Sequence, residues 1–248
     1  MSGLFVVYRS TGPDRFPRRP PYFDKLLCLR SFLLSFRRVG GEKRILFLND
    51  GPVPDERVAL MRRWGSVIDL PGLGNGPSFR RAVESALAMP DGTVAYLAED
   101  DYLYVEPALE RVTGVFAAVP AADYVTPYDH LDRYTRSDDA GGGRSHVIVA
   151  AGQHWRTVDS TTMTFGARVE RLRNDNWVVR LATTPRKRPK DHLMWRLIQG
   201  QKHFFWKFPK RLLLGPIPSL ASHMDTKALA PVVDWTSVAR AAAEASLE

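Results

Sequence analysis

The densest chemistry in this 248-residue sequence is a run of three carboxylates, Glu99-Asp100-Asp101. They follow directly on the apolar run Val94-Ala95-Tyr96-Leu97-Ala98. Three adjacent like charges repel one another, so the run is costly unless water or a cation answers it. Mg²⁺ and Mn²⁺ prefer oxygen ligands and typically combine one or two carboxylates with substrate phosphates. A cation held here would bridge a diphosphate and neutralise charge developing on a leaving group. The alternative is a solvated acidic turn with no ligand. His223 carries an imidazole that suits Mn²⁺, or that simply sits exposed or hydrogen-bonded. His130, His146, His154, His192 and His203 have no spacing that suggests a metal cage. Cys28 is the only cysteine, which excludes an intramolecular disulfide and any zinc site built on several thiolates. It lies in an apolar run and reads as a small buried hydrophobe of a protein in a reducing compartment.

The elements that must position these groups can be read from hydrophobic period and punctuation. Short apolar runs at 4–8, 45–48, 67–70 and 94–98 read as strands. Helical spacing over 23–39, 55–64 and 78–89 separates them, with Gly40-Gly41 as a stop and Ser78 as an expected N-cap. Strand and helix alternate, which argues for a parallel α/β sheet. Ligands of such open sheets bind beyond the carboxyl ends of the strands, where the acidic run falls. The pattern changes after about residue 120. Residues 123–126 are strand-like, 129–145 a polar loop, and 147–151 with 155–160 a hairpin across Gly152-Gln153. Residues 161–167 continue extended, and 169–182 and 191–199 are helical. A basic, proline-broken loop covers 183–190, a strand 202–208 and an irregular stretch 209–226. An alanine-rich tail, 237–247, reads as a loose helix.

Two segments carry a resemblance. Asn75-Gly76-Pro77-Ser78-Phe79-Arg80-Arg81, followed by the strand that ends in Glu99-Asp100-Asp101, resembles the heart of the family 2 glycosyltransferases and their GT-A relatives. Asp191-His192-Leu193-Met194-Trp195-Arg196-Leu197-Ile198-Gln199-Gly200 resembles the second signature of that family, where an acidic residue opens an amphipathic helix. The likeness is best over 4–101 and 191–208. It implies a GT-A-like, Rossmann-like three-layer α/β/α domain with a central mixed, mostly parallel sheet. It also implies roles. Asp101 binds Mn²⁺ or Mg²⁺, joined by His223 as a late histidine ligand. Asp100, with Glu99 beside it, contacts the donor's ribose or sugar. Tyr8, Arg9 and Asp50 line the nucleoside pocket, Asn75 and Arg80 lie near the donor with Arg80 toward its phosphates, and Asp191 is the general base. One departure stands out: the family usually carries two acidic residues at the base motif, and here Lys190 precedes Asp191. Asp is also a favoured N-cap, so Asp191 has a purely structural reading beside the catalytic one.

The function implied is metal-dependent, inverting transfer of a sugar from a nucleotide diphosphate, UDP foremost with GDP and dTDP as alternatives, to a glycan, lipid or small-molecule hydroxyl. The base would take the acceptor proton, and positive charge would hold the departing diphosphate. This requires Asp101 to face a cavity rather than be locked to an arginine. Thr161, Thr162 and Thr164 are candidates for the sugar and acceptor wall, or are an ordinary Thr-rich strand; Asp159 is a weaker one. Arg186-Lys187-Arg188-Pro189-Lys190 is a solvated loop or a lid over the phosphates, and Trp155, Trp177, Trp195 and Trp206 are sugar-stacking or core residues. A nucleotidyltransferase is the second reading, although Ser10-Thr11-Gly12-Pro13-Asp14-Arg15 is a poor phosphate loop. A net charge of +8 and a pI near 9.8 suit an anionic partner. The basic residues form no single stripe, so nucleic acid is not the expected one. The organisation expected is one domain over 1–225, nucleotide-binding in 1–120 and acceptor-binding in 121–225, with a tail at 226–248. No leader or membrane span is apparent, so a cytoplasmic enzyme is expected, with surface contact to a membrane left open.

Overall fold

The computed structural model describes residues 3–12, 14, 16–135, 145–183, 190–200 and 210–247. The first half alternates β1 (Leu4–Thr11), α1 (Lys25–Arg37), β2 (Lys43–Asp50), α2 (Asp55–Trp64), β3 (Ser66–Leu70), α3 (Asn75–Leu87) and β4 (Val94–Glu99). Then come β5 (Tyr102–Tyr104), α4 (Ala108–Ala118), β6 (Tyr124–Val125) and α5 (Asp132–Thr135). The second half adds β7 (Val147–Ala150), β8 (Gln153–Thr157), β9 (Phe165–Arg168), α6 (Val169–Ala182), α7 (Asp191–Ile198), β10 (Leu213–Ile217), β11 (Ala221–His223) and α8 (Trp235–Glu244).

Nine of these strands form one sheet in the order β3-β2-β1-β4-β9-β6-β10-β8-β7. Only β9 and β8 run against the rest, so the sheet is mixed and mostly parallel. β11 pairs with β5 in a small second sheet. Strand period two divides β1 between two cores. Leu4, Val6 and Tyr8 face α1 with Phe32, Phe47 and Tyr96. Val7 faces α3 with Phe79, Val83 and Leu97. Helices α1, α4 and α8 cover one face, and α3, α6 and α7 the other, which gives three α/β/α layers. Cys28 is buried on α1, as expected. No helix among the described residues is long and apolar enough to cross a membrane.

Local differences from the sequence expectation have local causes. α3 begins at Asn75 with Gly74 as the cap residue, and Ser78 lies inside its first turn. Pro77 does not delay the start, because a proline in a first turn gives up no helical hydrogen bond. The stretch read as irregular holds β10 and β11. The tail is anchored rather than loose. Asp234 caps α8, accepting from the Thr236 and Ser237 amides. Trp235 and Ala239 pack into the α1-side core. Arg30 donates to the carbonyls of Ala242, Ala243 and Ala245, where the helix leaves acceptors open. Trp235→Ala is expected to cost about 3–5 kcal/mol, read as a lower midpoint in urea unfolding. The strand expected at 202–208 and the basic loop at 184–189 lie outside the described residues.

Candidate functional site

A cleft of about 430 Å³ opens beyond the carboxyl ends of β1, β2 and β4. Each carboxylate of the acidic run has its own cations there. Glu99 accepts from Arg9 Nη2 at 2.7 Å. Asp100, only 7% exposed, accepts from Ser10 Oγ at 3.0 Å, the Thr11 amide at 2.7 Å, Lys25 Nζ at 3.1 Å and Arg57 Nη1 at 3.3 Å. Asp101 Oδ2 lies 3.0 Å from both Arg19 Nη2 and His223 Nε2. The run is therefore not a solvated turn.

Burial raises the pKa of Asp100, Lys25 countering it and the Asp101 charge adding to it. Burial also raises Glu99 against the pull of Arg9. Burial would raise Asp101 as well, but hydrogen bonding and charge from His223 and Arg19 outweigh it and hold this carboxyl well below the usual range. The same contact raises His223 against the opposing effect of its own burial.

The residues expected around a donor divide. Arg9 follows Val7 on the α3 side of β1, where it also donates to Asn75 Oδ1 at 2.9 Å and Ser78 Oγ at 3.1 Å. Asp50 accepts from the Leu73 and Gly74 amides at 2.5 and 2.8 Å. That bond holds a turn whose Gly72 and Gly74, at φ of 81° and 86°, need the left-handed region. Arg9, Asp50, Asn75, Glu99, Asp100 and Asp101 all line the cleft. Tyr8 does not: strand alternation turns it into the core between Phe32 and Phe47. Arg80 is directed at α6, where its guanidinium donates to the Thr183 carbonyl at 2.5 Å. Asp101 faces the cleft but is ion-paired to Arg19, so the requirement placed on it is not met.

Asp191 lies on a second cleft of about 300 Å³, with Tyr128, His130, Arg133, Thr161 and Thr162. It is the first residue of α7 rather than its cap. The cap position is Lys190, whose side chain makes no capping bond. The Asp191 carboxylate accepts from the His192 amide at 2.7 Å. The wall between the clefts is built from 161–164. Thr162 Oγ1 accepts from Tyr102 Oη at 2.8 Å, the Thr162 carbonyl accepts from Trp195 Nε1 at 3.3 Å, and Thr164 Oγ1 donates to Glu99 at 3.4 Å. Trp155 and Trp195 are fully buried core residues; Trp206 lies outside the described residues.

No family model matches this sequence, and no curated protein matches it. Among solved structures, CMP:2-keto-3-deoxy-manno-octonic acid synthetase complexed with CTP is similar at a TM-score of 0.52 and 14% identity, over 99% of this chain and 100% of that one. The chain shares the overall fold of this synthetase. Residues 1–349 of TarS from S. aureus match at a TM-score of 0.48 and 14% identity, over 77% of this chain and 52% of that one. A cytidylyltransferase from Leptospira borgpetersenii serovar Hardjo-bovis matches at 0.41 and 12%, over 71% and 64%. At these identities the likeness establishes fold alone.

The most conspicuous site residues that the sequence did not disclose are Arg19, Lys25 and Arg57. Arg57 belongs to a polar-looking helix yet is 4% exposed. The only signal was position: all three follow strands whose carboxyl ends form the ligand edge. Arg57 also donates to the Thr11 carbonyl at 2.8 Å. Arg57→Ala would leave Asp100 with Lys25 as its remaining cation, at an expected cost of about 2–4 kcal/mol, measurable by thermal melting.

The fit of a cation can be tested on the donor set. Among the described residues no three His, Cys, Asp or Glu side chains form a metal cluster, so no self-standing cage exists among them. Asp101 Oδ2 and His223 Nε2, 3.0 Å apart, are spaced like neighbouring ligands of an octahedral ion with bonds of about 2.1 Å. Two protein donors suit a cation that arrives with a diphosphate, provided Arg19 yields its place.

Proposed function

We propose that the chain is a metal-assisted, inverting glycosyltransferase that takes a nucleotide-diphospho-sugar, UDP-linked foremost, and glycosylates an acceptor hydroxyl. The observation that carries this reading is the pair of clefts on either side of the 161–164 wall, one with cations at its carboxylates and the other holding Asp191. Arg9, Asp50 and Asn75 shape the donor side. Asp191, directed into the second cleft, accepts the acceptor proton as the oxygen attacks the anomeric carbon from the face opposite the leaving group. Thr161 and Thr162 offer hydroxyls to the sugar or acceptor between them.

The donor cleft is lined by three basic side chains against five carboxylates, a balance that opposes a bare diphosphate. Mn²⁺ or Mg²⁺ held by Asp101 and His223 would supply the missing positive charge and stabilise the leaving group. A second reading, nucleotidyl transfer onto a sugar or sugar phosphate, is favoured by Arg19 and Lys25, which place two cations after β1, and by the CTP-bound synthetase of the same fold. Thermal-shift measurements with UDP-, GDP- and dTDP-sugars, and with CTP and UTP, each with and without Mn²⁺, separate the readings. Stabilisation by a nucleotide sugar only with Mn²⁺ supports glycosyl transfer. Stabilisation by a triphosphate alone, with pyrophosphate released when a sugar phosphate is added, replaces it by the second. No shift with any ligand, in Mn²⁺ or without it, counts against both.

A further inference from the structure

Arg19 pairs with the carboxylate proposed to hold the cation. It comes from the segment between β1 and α1, and its Nη2 lies 3.0 Å from Asp101 Oδ2, the same oxygen that meets His223. Two other anchors hold the same guanidinium. Nε donates to Asp14 at 2.5 Å, and Nη1 donates to the Met224 carbonyl at 2.7 Å. Its Cζ lies 4.8 Å from the centroid of the Phe16 ring and 4.4 Å from that of the Phe23 ring. Losing Asp101 would therefore not release the side chain. It would leave the group fixed on the cleft wall with Nη2 facing the space beside Asp101. A planar guanidinium with an unpaired N–H there is suited to a phosphate oxygen.

We propose that Arg19 is the resident counter-ion of Asp101, that it yields this carboxylate to the divalent cation when a diphosphate enters, and that its freed Nη2 then binds the diphosphate. The proposal rests on the metal-assisted reading above. It gives one residue two effects of opposite sign. Without nucleotide, Arg19 competes with the cation for Asp101 Oδ2. With nucleotide, it adds to the hold on the phosphates. An arginine that served only to anchor the loop would weaken both binding events when removed.

The test uses the full chain as wild type, Arg19→Gln and Arg19→Lys. Mn²⁺ binding is followed by electron paramagnetic resonance without nucleotide, and binding of UDP, GDP and dTDP by calorimetry in Mn²⁺ or in EDTA. Arg19→Gln is expected to bind Mn²⁺ roughly tenfold more tightly than wild type, and the best nucleoside diphosphate roughly tenfold more weakly in saturating Mn²⁺. Arg19→Lys keeps the charge but cannot reach all three anchors at once, so it should move both constants in the same directions by less. It decides the matter if Arg19→Gln does not fold. Metal-dependent diphosphate binding in wild type, with Mn²⁺ affinity unchanged or reduced in the folded variants, overturns the Arg19 assignment alone. Equal diphosphate binding in EDTA and Mn²⁺, or none in either, overturns the metal-assisted reading and this proposal with it.

Discussion

Asp191→Asn is expected to lower turnover by about 10²–10⁴-fold while leaving donor binding unchanged. The substitution is close to isosteric. The Asp191 carboxylate accepts the His192 amide at 2.7 Å, and an asparagine oxygen can accept it too, so α7 should start as before. The residue lines the second cleft and not the donor cleft, so the Mn²⁺-dependent thermal shift with a nucleotide sugar should match wild type. Only the proton acceptor is lost. Single-turnover transfer followed by release of the nucleoside diphosphate is the measurement. Transfer at the wild-type rate would remove Asp191 from the mechanism. His130, whose Nδ1 lies 2.6 Å from Asp132 Oδ1 on the same cleft, would be the next residue to substitute.

The second large effect is expected at Asp101. Asp101→Asn removes the charge that Arg19 and His223 both answer. A ligand present at about 100 times its Kd adds about 2.7 kcal/mol, which for a chain of this size corresponds to a rise in melting temperature of about 5–10 °C. In Asp101→Asn the Mn²⁺-dependent part of that rise should vanish. The ligand-free protein should also lose about 1–3 kcal/mol, because the partly buried Arg19 guanidinium loses its acceptor charge. A metal-dependent shift of wild-type size in this variant would place the cation elsewhere.

How far the sequence disclosed this molecule can be followed through particular elements. α2 and α6 begin and end where their periodicity says, at Asp55–Trp64 and Val169–Ala182, because their signals are local. The hairpin of β7 and β8 is legible for the same reason, with Ala151-Gly152 at its turn. β10 and β11 were not, since Gly215, Pro216, Pro218 and Ser219 read as loop, and these strands exist through partners far away in the chain. No element was read over 106–119, where α4 lies. Its Gly114 lowers helical propensity, and the reason for it is tertiary: a Cβ there would come within 2.8 Å of the Ala151 Cβ. At the site, the acidic run and Asp191 stood out by type and position. Tyr8 was misplaced because the end of a strand offers both faces, and only strand alternation against α1 decides between them. Arg19, Lys25 and Arg57 were hidden because a basic residue in a loop or on a polar helix looks solvated until its partner folds against it.

The two-stranded ribbon of β5 and β11 has a consequence for how tightly anything can be held beside it. His223 stands opposite Tyr102 in that ribbon, and the Met224 amide bonds the Asp101 carbonyl at 2.9 Å. Imidazole and carboxylate, 122 positions apart, are thus brought together when the chain folds, and if they hold a cation as proposed, little ordering entropy would be left to lose on its capture. Slipping the ribbon by a single residue would turn the imidazole to the opposite face and separate the pair without altering either side chain.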